Sequence, residues 1–222
     1  MQNIDKLTKL FATGKIGRRD FMQGAMALGV SLSAASAITS QVHAATPVKG
    51  GHLRLGLGSG TTTDVLDMSV STGATSELVN AYAHLNNITE LDNTGQLVGE
   101  LVSSIETDDA QTWRFKLRKG VEWHNGKSLD LNDLICSVNH HRGEDSKSVM
   151  KGQYSTITDV KADGDYLVIS LEAPNGDFPV LLSDYHAPVY RGGSDGKIVD
   201  PGAGIGTGAY KVVSYDPGVR AE

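Results

Sequence analysis

The sequence predicts an α+β fold, with mixed and antiparallel sheets, a few scattered helices and a targeting segment in front. Three observations predict it. Period-two apolar stretches come in pairs joined by turn residues, as where Trp113, Phe115 and Leu117 alternate with Arg114, Lys116 and Arg118. Helical spacing is confined to short, separated runs such as Leu131, Leu134, Ile135 and Val138. The alternating strand–helix–strand units of a doubly wound parallel sheet are not there, nor is any internal repeat or heptad.

The first 44 of the 222 residues read as an export signal. Lys6, Lys9, Lys15, Arg18 and Arg19 form a basic start, and Phe21 to Ala37 is apolar and small. No Lys, Arg, Asp or Glu stands between Asp20 and Val48, and Val42-His43-Ala44 suits a cut after Ala44. Arg18-Arg19-Asp20-Phe21-Met22 resembles the twin-arginine export signal, in which paired guanidiniums are read by a receptor and do not anchor the chain. An ordinary signal for unfolded export is the other reading of these residues, and an amphipathic helix or membrane anchor a third. Gly24, Gly29 and several Ser and Thr make the apolar stretch too weak for a stable span of ~20 residues. No cysteine follows it, so the sequence predicts a product without a lipid-attached N-terminal cysteine, free in the periplasm.

Beyond a short leader with Pro47, His52 to Leu57 alternates apolar residues and predicts a strand. It runs into Gly58-Ser59-Gly60-Thr61, a loop of small side chains. Ser76 is placed to cap a helix to about Leu85. Ile88 to Leu91 predicts a short strand, and Asp92 to Gly95 a turn. The Ile105–Leu117 block predicts a hairpin, and Val121–Trp123 an extended piece ended by Asn125-Gly126. Asp130 predicts the cap of a helix through Val138, with Asp133 in the capping-box position and Gly143 as a stop. Thr158–Ala162 and Tyr166–Leu171 flank Asp163-Gly164-Asp165 as a second hairpin. Asp177 is placed to cap a short helix, and Tyr210 to Tyr215 predicts the last strand.

Composition narrows the function. Of 20 basic and 26 acidic residues, the first 44 positions hold five and two, which leaves 15 against 24 and a formal charge of −9. That balance argues against nucleic acid, whose binding needs clustered positive charge. Cys136 is the single cysteine, so no intramolecular disulfide forms.

Four stretches in order resemble solute-binding protein family 5, the peptide- and nickel-binding class that serves ABC importers. They are Lys49–Leu55, Leu97–Glu106, Trp113–Gly126 leading into Leu129–Val138, and Gly206-Thr207-Gly208-Ala209-Tyr210-Lys211. Asn125 stands where the family has an acidic residue, and Ala209 where it has proline. The resemblance implies a periplasmic binding protein type II-like fold and a monomer that captures a peptide or other small solute. It also implies delivery of that solute to the membrane subunits of an ABC importer, with no chemistry and no cofactor. Peptide is the commonest ligand of the family; nickel, sugars and opines are others. Family members are about twice this length or more, with two lobes, so this sequence is expected to hold the β-rich first lobe and to lack the second. A chain so truncated is expected to bind poorly. The opposing readings are a twin-arginine-exported periplasmic enzyme and a remnant that binds nothing.

Within this lobe the expected ligand-facing residues are Gly58, Ser59, Gly60 and Thr61, whose backbone amides are open to a carboxylate or peptide carbonyl. His84 is expected to line the cleft. The export signal rests on Arg18, Arg19 and Phe21. Gly206-Thr207-Gly208 has dinucleotide-like glycines but opens a strand and no helix, so it does not predict a nucleotide site. His140 and His141 are adjacent and point to different sides of a helix, so they do not predict a chelate. The Trp113–Gly126 hairpin reads as scaffold whose charged face is solvated.

Overall fold

The computed structural model describes residues 2–45, 50–71 and 74–222. Two compact units, Met1–Leu55 and Gly56–Glu222, each have their own interior. In the first, α1 (Gln2–Ala12), α2 (Arg18–Ala27) and α3 (Leu32–Ala45) pack around Phe11, Phe21, Ala25 and Ala35. Phe11 and Phe21 stack with ring centroids 5.0 Å apart. Arg18 and Arg19 are exposed in the first turn of α2, where positive charge opposes the helix dipole. Helix stability therefore does not explain why they are there. Among the described residues no helix is long and apolar enough to cross a membrane. The expected cut after Ala44 falls in the last turn of α3, and leader residues 46–49 lie outside the described residues.

The strand expected from His52 to Leu57 does not form. Among the described residues this stretch has no sheet partner, and Leu53, Leu55 and Leu57 are 79%, 58% and 42% exposed. Alternation gives a segment one apolar face, but a strand also needs a neighbour for its N–H and C=O groups.

In the second unit, α4 (Thr75–His84) starts one residue before Ser76, which therefore sits in its first turn. The reason is Glu77, whose carboxylate reaches back to the Ala74 N–H at 3.3 Å and also accepts from Val65 N and Ser71 Oγ. The short pair β1 (Thr89–Leu91) and β2 (Leu97–Gly99) closes over the Asp92–Gly95 turn.

β3 (Val102–Glu106) and β4 (Thr112–Leu117) form the first expected hairpin. After α5 (Leu131–His140) and the single turn α6 (Lys151–Tyr154), β5 (Ile157–Asp163) and β6 (Tyr166–Leu171) form the second. The hairpins join through β4 and β6 into one antiparallel sheet, order β3-β4-β6-β5, with Trp113 opposite Ile169 and Phe115 opposite Leu167. The inward residues of this sheet meet Leu134 and Val138 of α5, Tyr154, and Phe178 and Leu182 at the turn α7 (Phe178–Leu181). Asp177 holds the N-cap position of α7 without a side-chain hydrogen bond.

The charged face of β4 is used inside the lobe. Arg114 pairs with Asp163 at 2.8 Å and lies over the Tyr166 ring, and Lys119 pairs with Asp165 at 3.1 Å. Arg118 donates to the carbonyls of Gly99, Glu100 and Val102.

Helix α5 shows why aspartate stands where glutamate is the commoner capping partner. Asp130 Oδ1 accepts from Asp133 N, and Asp133 Oδ2 accepts from Asp130 N, both at 3.1 Å. The buried Asp133 also accepts from Trp123 Nε1 at 2.9 Å and from Gly192 N at 2.6 Å. One short carboxylate thus ties the helix start, the Trp123 turn and the chain after Tyr190 together.

The strand expected over Tyr210–Tyr215 is reduced to β7 (Tyr215–Asp216), paired with β8 (Arg220–Ala221). Upstream, the donors a strand would use are taken: Gly208 N–H bonds His84 O and Tyr210 N–H bonds Ala83 O, both at 3.0 Å. These bonds cap the C-terminal carbonyls of α4 instead of building a sheet.

Candidate ligand-binding face

The loop Gly58–Thr61 lies exposed against the first turn of α4. Ser59, in the left-handed region at φ 63, accepts from Thr75 N at 3.2 Å through its hydroxyl. Beyond it Asp64 gathers the loop: Oδ1 accepts from Thr61 N at 3.0 Å and Thr61 Oγ1 at 2.8 Å, and Oδ2 from Ser76 Oγ at 2.6 Å. The Ser76 bond, with those of Thr61 behind it, holds the Asp64 carboxyl below the ordinary carboxylate range against the opposing pull of burial. The Thr61 amide is therefore already engaged. Asp64, which organises the loop, is legible in sequence only as an acid three places after Thr61, the spacing at which a carboxylate reaches back to a main-chain N–H.

His84, the last residue of α4, is 2% exposed. Its Nδ1 meets Asn80 O at 2.5 Å, and its buried Nε2 has no hydrogen-bond partner. Burial lowers its pKa from the usual imidazole value, so the ring is neutral at pH 7. The structure does not bring His84 to Gly58–Thr61. They stand at opposite ends of α4, roughly 13 Å apart along the axis at 1.5 Å per residue.

The Gly206-Thr207-Gly208 run crosses directly over His84. A β-carbon on Gly206 would collide with the His84 carbonyl oxygen, and one on Gly208 would lie 2.8 Å from Ala83 O, so only glycine fits. His124 clasps the same run from the other side. Its Nδ1 accepts from Gly206 N at 3.2 Å, which leaves Nε2–H to donate to Gly208 O at 2.9 Å. The glycines thus serve close packing between α4 and the Trp123 turn.

His140 Nε2 bonds Ser69 Oγ at 2.9 Å, and His141 Nδ1 bonds Ser148 Oγ at 2.6 Å. The two rings point to different partners. Burial works to raise the Asp67 carboxyl, but hydrogen bonds from His140 and Ser69 outweigh it and hold the group below its usual range. Among the described residues no group of three His, Cys, Asp or Glu side chains is placed to hold a metal ion. Two surface hollows, of ≈570 and ≈410 Å³, open elsewhere and include neither Gly58–Thr61 nor His84.

Solved structures show the same mixed α+β fold. A nickel ABC transporter structure from Bacillus halodurans matches with a TM-score of 0.59 at 23% identity, over 73% of this chain and 33% of that one. The oligopeptide-binding protein AppA from Bacillus subtilis, in complex with a nonapeptide, matches with a TM-score of 0.59 at 20% identity, over 70% and 33%. In sequence, a probable peptide ABC transporter periplasmic-binding protein of Sinorhizobium fredii is 28% identical over 170 residues, 76% of this chain and 30% of its own length. The HTH-type transcriptional regulator SgrR of Yersinia enterocolitica is 28% identical over 130 residues, 58% and 22%. The model of bacterial extracellular solute-binding proteins, family 5 Middle, matches residues 96–222, and the chain belongs to that family. The family is one of solute-binding proteins. The chain spans 22% to 33% of the length of these relatives.

Proposed function

We propose that this chain contributes one wall of a periplasmic binding protein that captures peptides or similar small solutes for an ABC importer. The observation that carries the reading is the family 5 match over residues 96–222. The ligand-facing part is Gly58, Ser59, Gly60 and Thr61, where small side chains allow close backbone approach. His84 acts behind the wall, as a buried neutral ring under the Gly206–Gly208 crossing. The protein works as a monomer with the importer's membrane subunits, and affinity comes from closure of two lobes on the solute. Titration of the labelled chain with di- and oligopeptides, followed by amide resonances, tests the site. Shifts centred on Gly58–Thr61 and the first turn of α4 are expected at about millimolar concentrations, since one lobe leaves most of a ligand in water. Shifts elsewhere, or none, defeat it.

Export follows the twin-arginine route, with Arg18, Arg19 and Phe21 read by its machinery and cleavage near Ala44. The unfavourable placement of two exposed arginines at a helix N-terminus supports a role outside folding. Replacing Arg18 and Arg19 with Lys is expected to hold uncleaved precursor in the cytoplasm on fractionation; undiminished export sinks the twin-arginine reading. The similarity to a transcriptional regulator favours a second reading, a solute-sensing lobe without transport. A wild-type chain that stays wholly cytoplasmic favours that reading.

A further inference from the structure

The ≈410 Å³ hollow opens beside the C-terminal end of α4, between β1 and the turn that follows α7. Its chemistry differs from that of the loop face. Tyr82 and Tyr185 give it aromatic walls, Leu85 and Pro188 an apolar lining, and Glu90 and Glu100 two carboxylates; no Lys or Arg lines it. Tyr82 is 67% exposed, although an aromatic side chain gains by burial when nothing else claims it. Glu100 is held in place from behind. Asn86 Nδ2 donates to Oε1 and Asn87 N donates to Oε2 at 2.5 Å.

Among the described residues neither Glu90 nor Glu100 has an ion-pair partner. Arg118 passes close by but spends its guanidinium on main-chain carbonyls. The His186 imidazole, which lies against the Tyr185 ring, is bonded to Asp184 at 2.7 Å. The charged side chains of the lining are thus both acidic. Burial first, then Glu90, raises the Glu100 carboxyl despite its two hydrogen bonds. Burial first, then Asp184, Tyr185 and Glu100, raises the Tyr82 phenol. Each of these groups gains if positive charge enters.

We propose that this hollow binds a small organic cation of the alkylammonium or guanidinium class, its charge against Glu90 and Glu100 and its carbon frame against Tyr82 and Tyr185. Aromatic faces attract such ions through their quadrupole, and weakly hydrated organic cations give up water readily. A hard metal ion fits poorly, because it asks for six or more oxygens where this lining offers two carboxylates, one already engaged, and apolar carbon. The site stands at the opposite end of α4 from Gly58–Thr61 and does not depend on the transport reading.

The test uses the full chain. Tyrosine ring resonances are followed during titration with tetramethylammonium chloride and with methylguanidinium chloride. Sodium chloride at equal ionic strength and tert-butanol, a neutral counterpart of similar size, serve as controls. Saturable shifts at Tyr82 and Tyr185 are expected with both cations and with neither control. Tyr82→Ala and Glu90→Gln, both at exposed positions, are expected to weaken binding by about 10-fold each while leaving the melting temperature unchanged. No saturable shift, an equal response to sodium chloride or tert-butanol, or undiminished affinity in both variants overturns the proposal.

Discussion

Two regions of the second unit carry the same alternating apolar pattern and meet different fates. In β4, Trp113 and Phe115 point into the interior, and the strand has neighbours on both sides. In the stretch before β7, Tyr210 and Val212 stand two apart in the same manner, yet Tyr210 is 68% exposed, Val212 is half-buried, and both belong to no strand. Residues 52–57 behave as the second region does. The difference lies in the ladder and not in the side chains. β4 finds β3 and β6, whereas the Gly208 and Tyr210 amides are drawn to the end of α4. Period two marks a segment able to be a strand, and hydrogen-bond partners decide whether it is one.

The sharpest way to test the contrast is to truncate one residue of the paired region. Phe115 is fully buried at the centre of the four-stranded sheet. Phe115→Ala is expected to cost about 3–5 kcal/mol, read from denaturant unfolding followed by Trp113 and Trp123 fluorescence. A loss below about 1 kcal/mol would mean that the sheet interior is not closely packed, and the comparison would collapse.

A second test uses pH, through the junction of α5 with α6. His141 is buried against Tyr154, with ring centroids 4.6 Å apart. Burial, with His140 behind it, pushes its pKa from 6.5 down to about 4. Between those values the unfolded chain binds a proton that the folded chain refuses. Stability is therefore complete above pH 6.5, falls as the pH drops below it, and levels off near 4. The full loss from this group is about 3 kcal/mol, and lowering of the His84 pKa acts in the same direction. Unfolding curves at pH 7.5 and 5 measure it, and His141→Gln should remove most of the difference. An unchanged pH slope in that variant shows that the proton goes elsewhere.

The paired region was also the legible one. Both hairpins, the β1–β2 turn and the Asp130 cap follow from local rules, because their residues contact near neighbours in sequence. The joining of the hairpins through β4 and β6 was not legible, since either hairpin could have offered its other edge. The second role of Asp133, on Trp123 and Gly192, was equally hidden: the capping box explains an acid there and is silent about its distant partners. The Gly58–Thr61 loop was legible as a loop through its small residues, and its ligand-facing role is a proposal. The burial of His84 was missed, because helical spacing places a residue on a face but does not say what crosses over it. The Gly206-Thr207-Gly208 crossing decided that, and a glycine's need for close approach shows only once the neighbour is known.

The smallest expected effect is the most discriminating. Leu57 and Val213 lie in the same compact unit as Phe115 and in stretches expected to be strands, but they are 42% and 78% exposed. Replacing both with Ala should change unfolding by less than about 0.5 kcal/mol, because an exposed side chain that touches little loses little on truncation. The same truncation in a paired strand removes several buried methylenes at about 0.8 kcal/mol each. A loss above about 1.5 kcal/mol in the double variant would place these residues against apolar neighbours in solution. It would then be the hydrogen-bonded partner, and not the alternating pattern, that needs to be sought. Amide exchange separates the two cases, since N–H groups at 211 and 212, which have no backbone partner among the described residues, exchange at rates close to those of an unfolded chain, whereas laddered ones are protected.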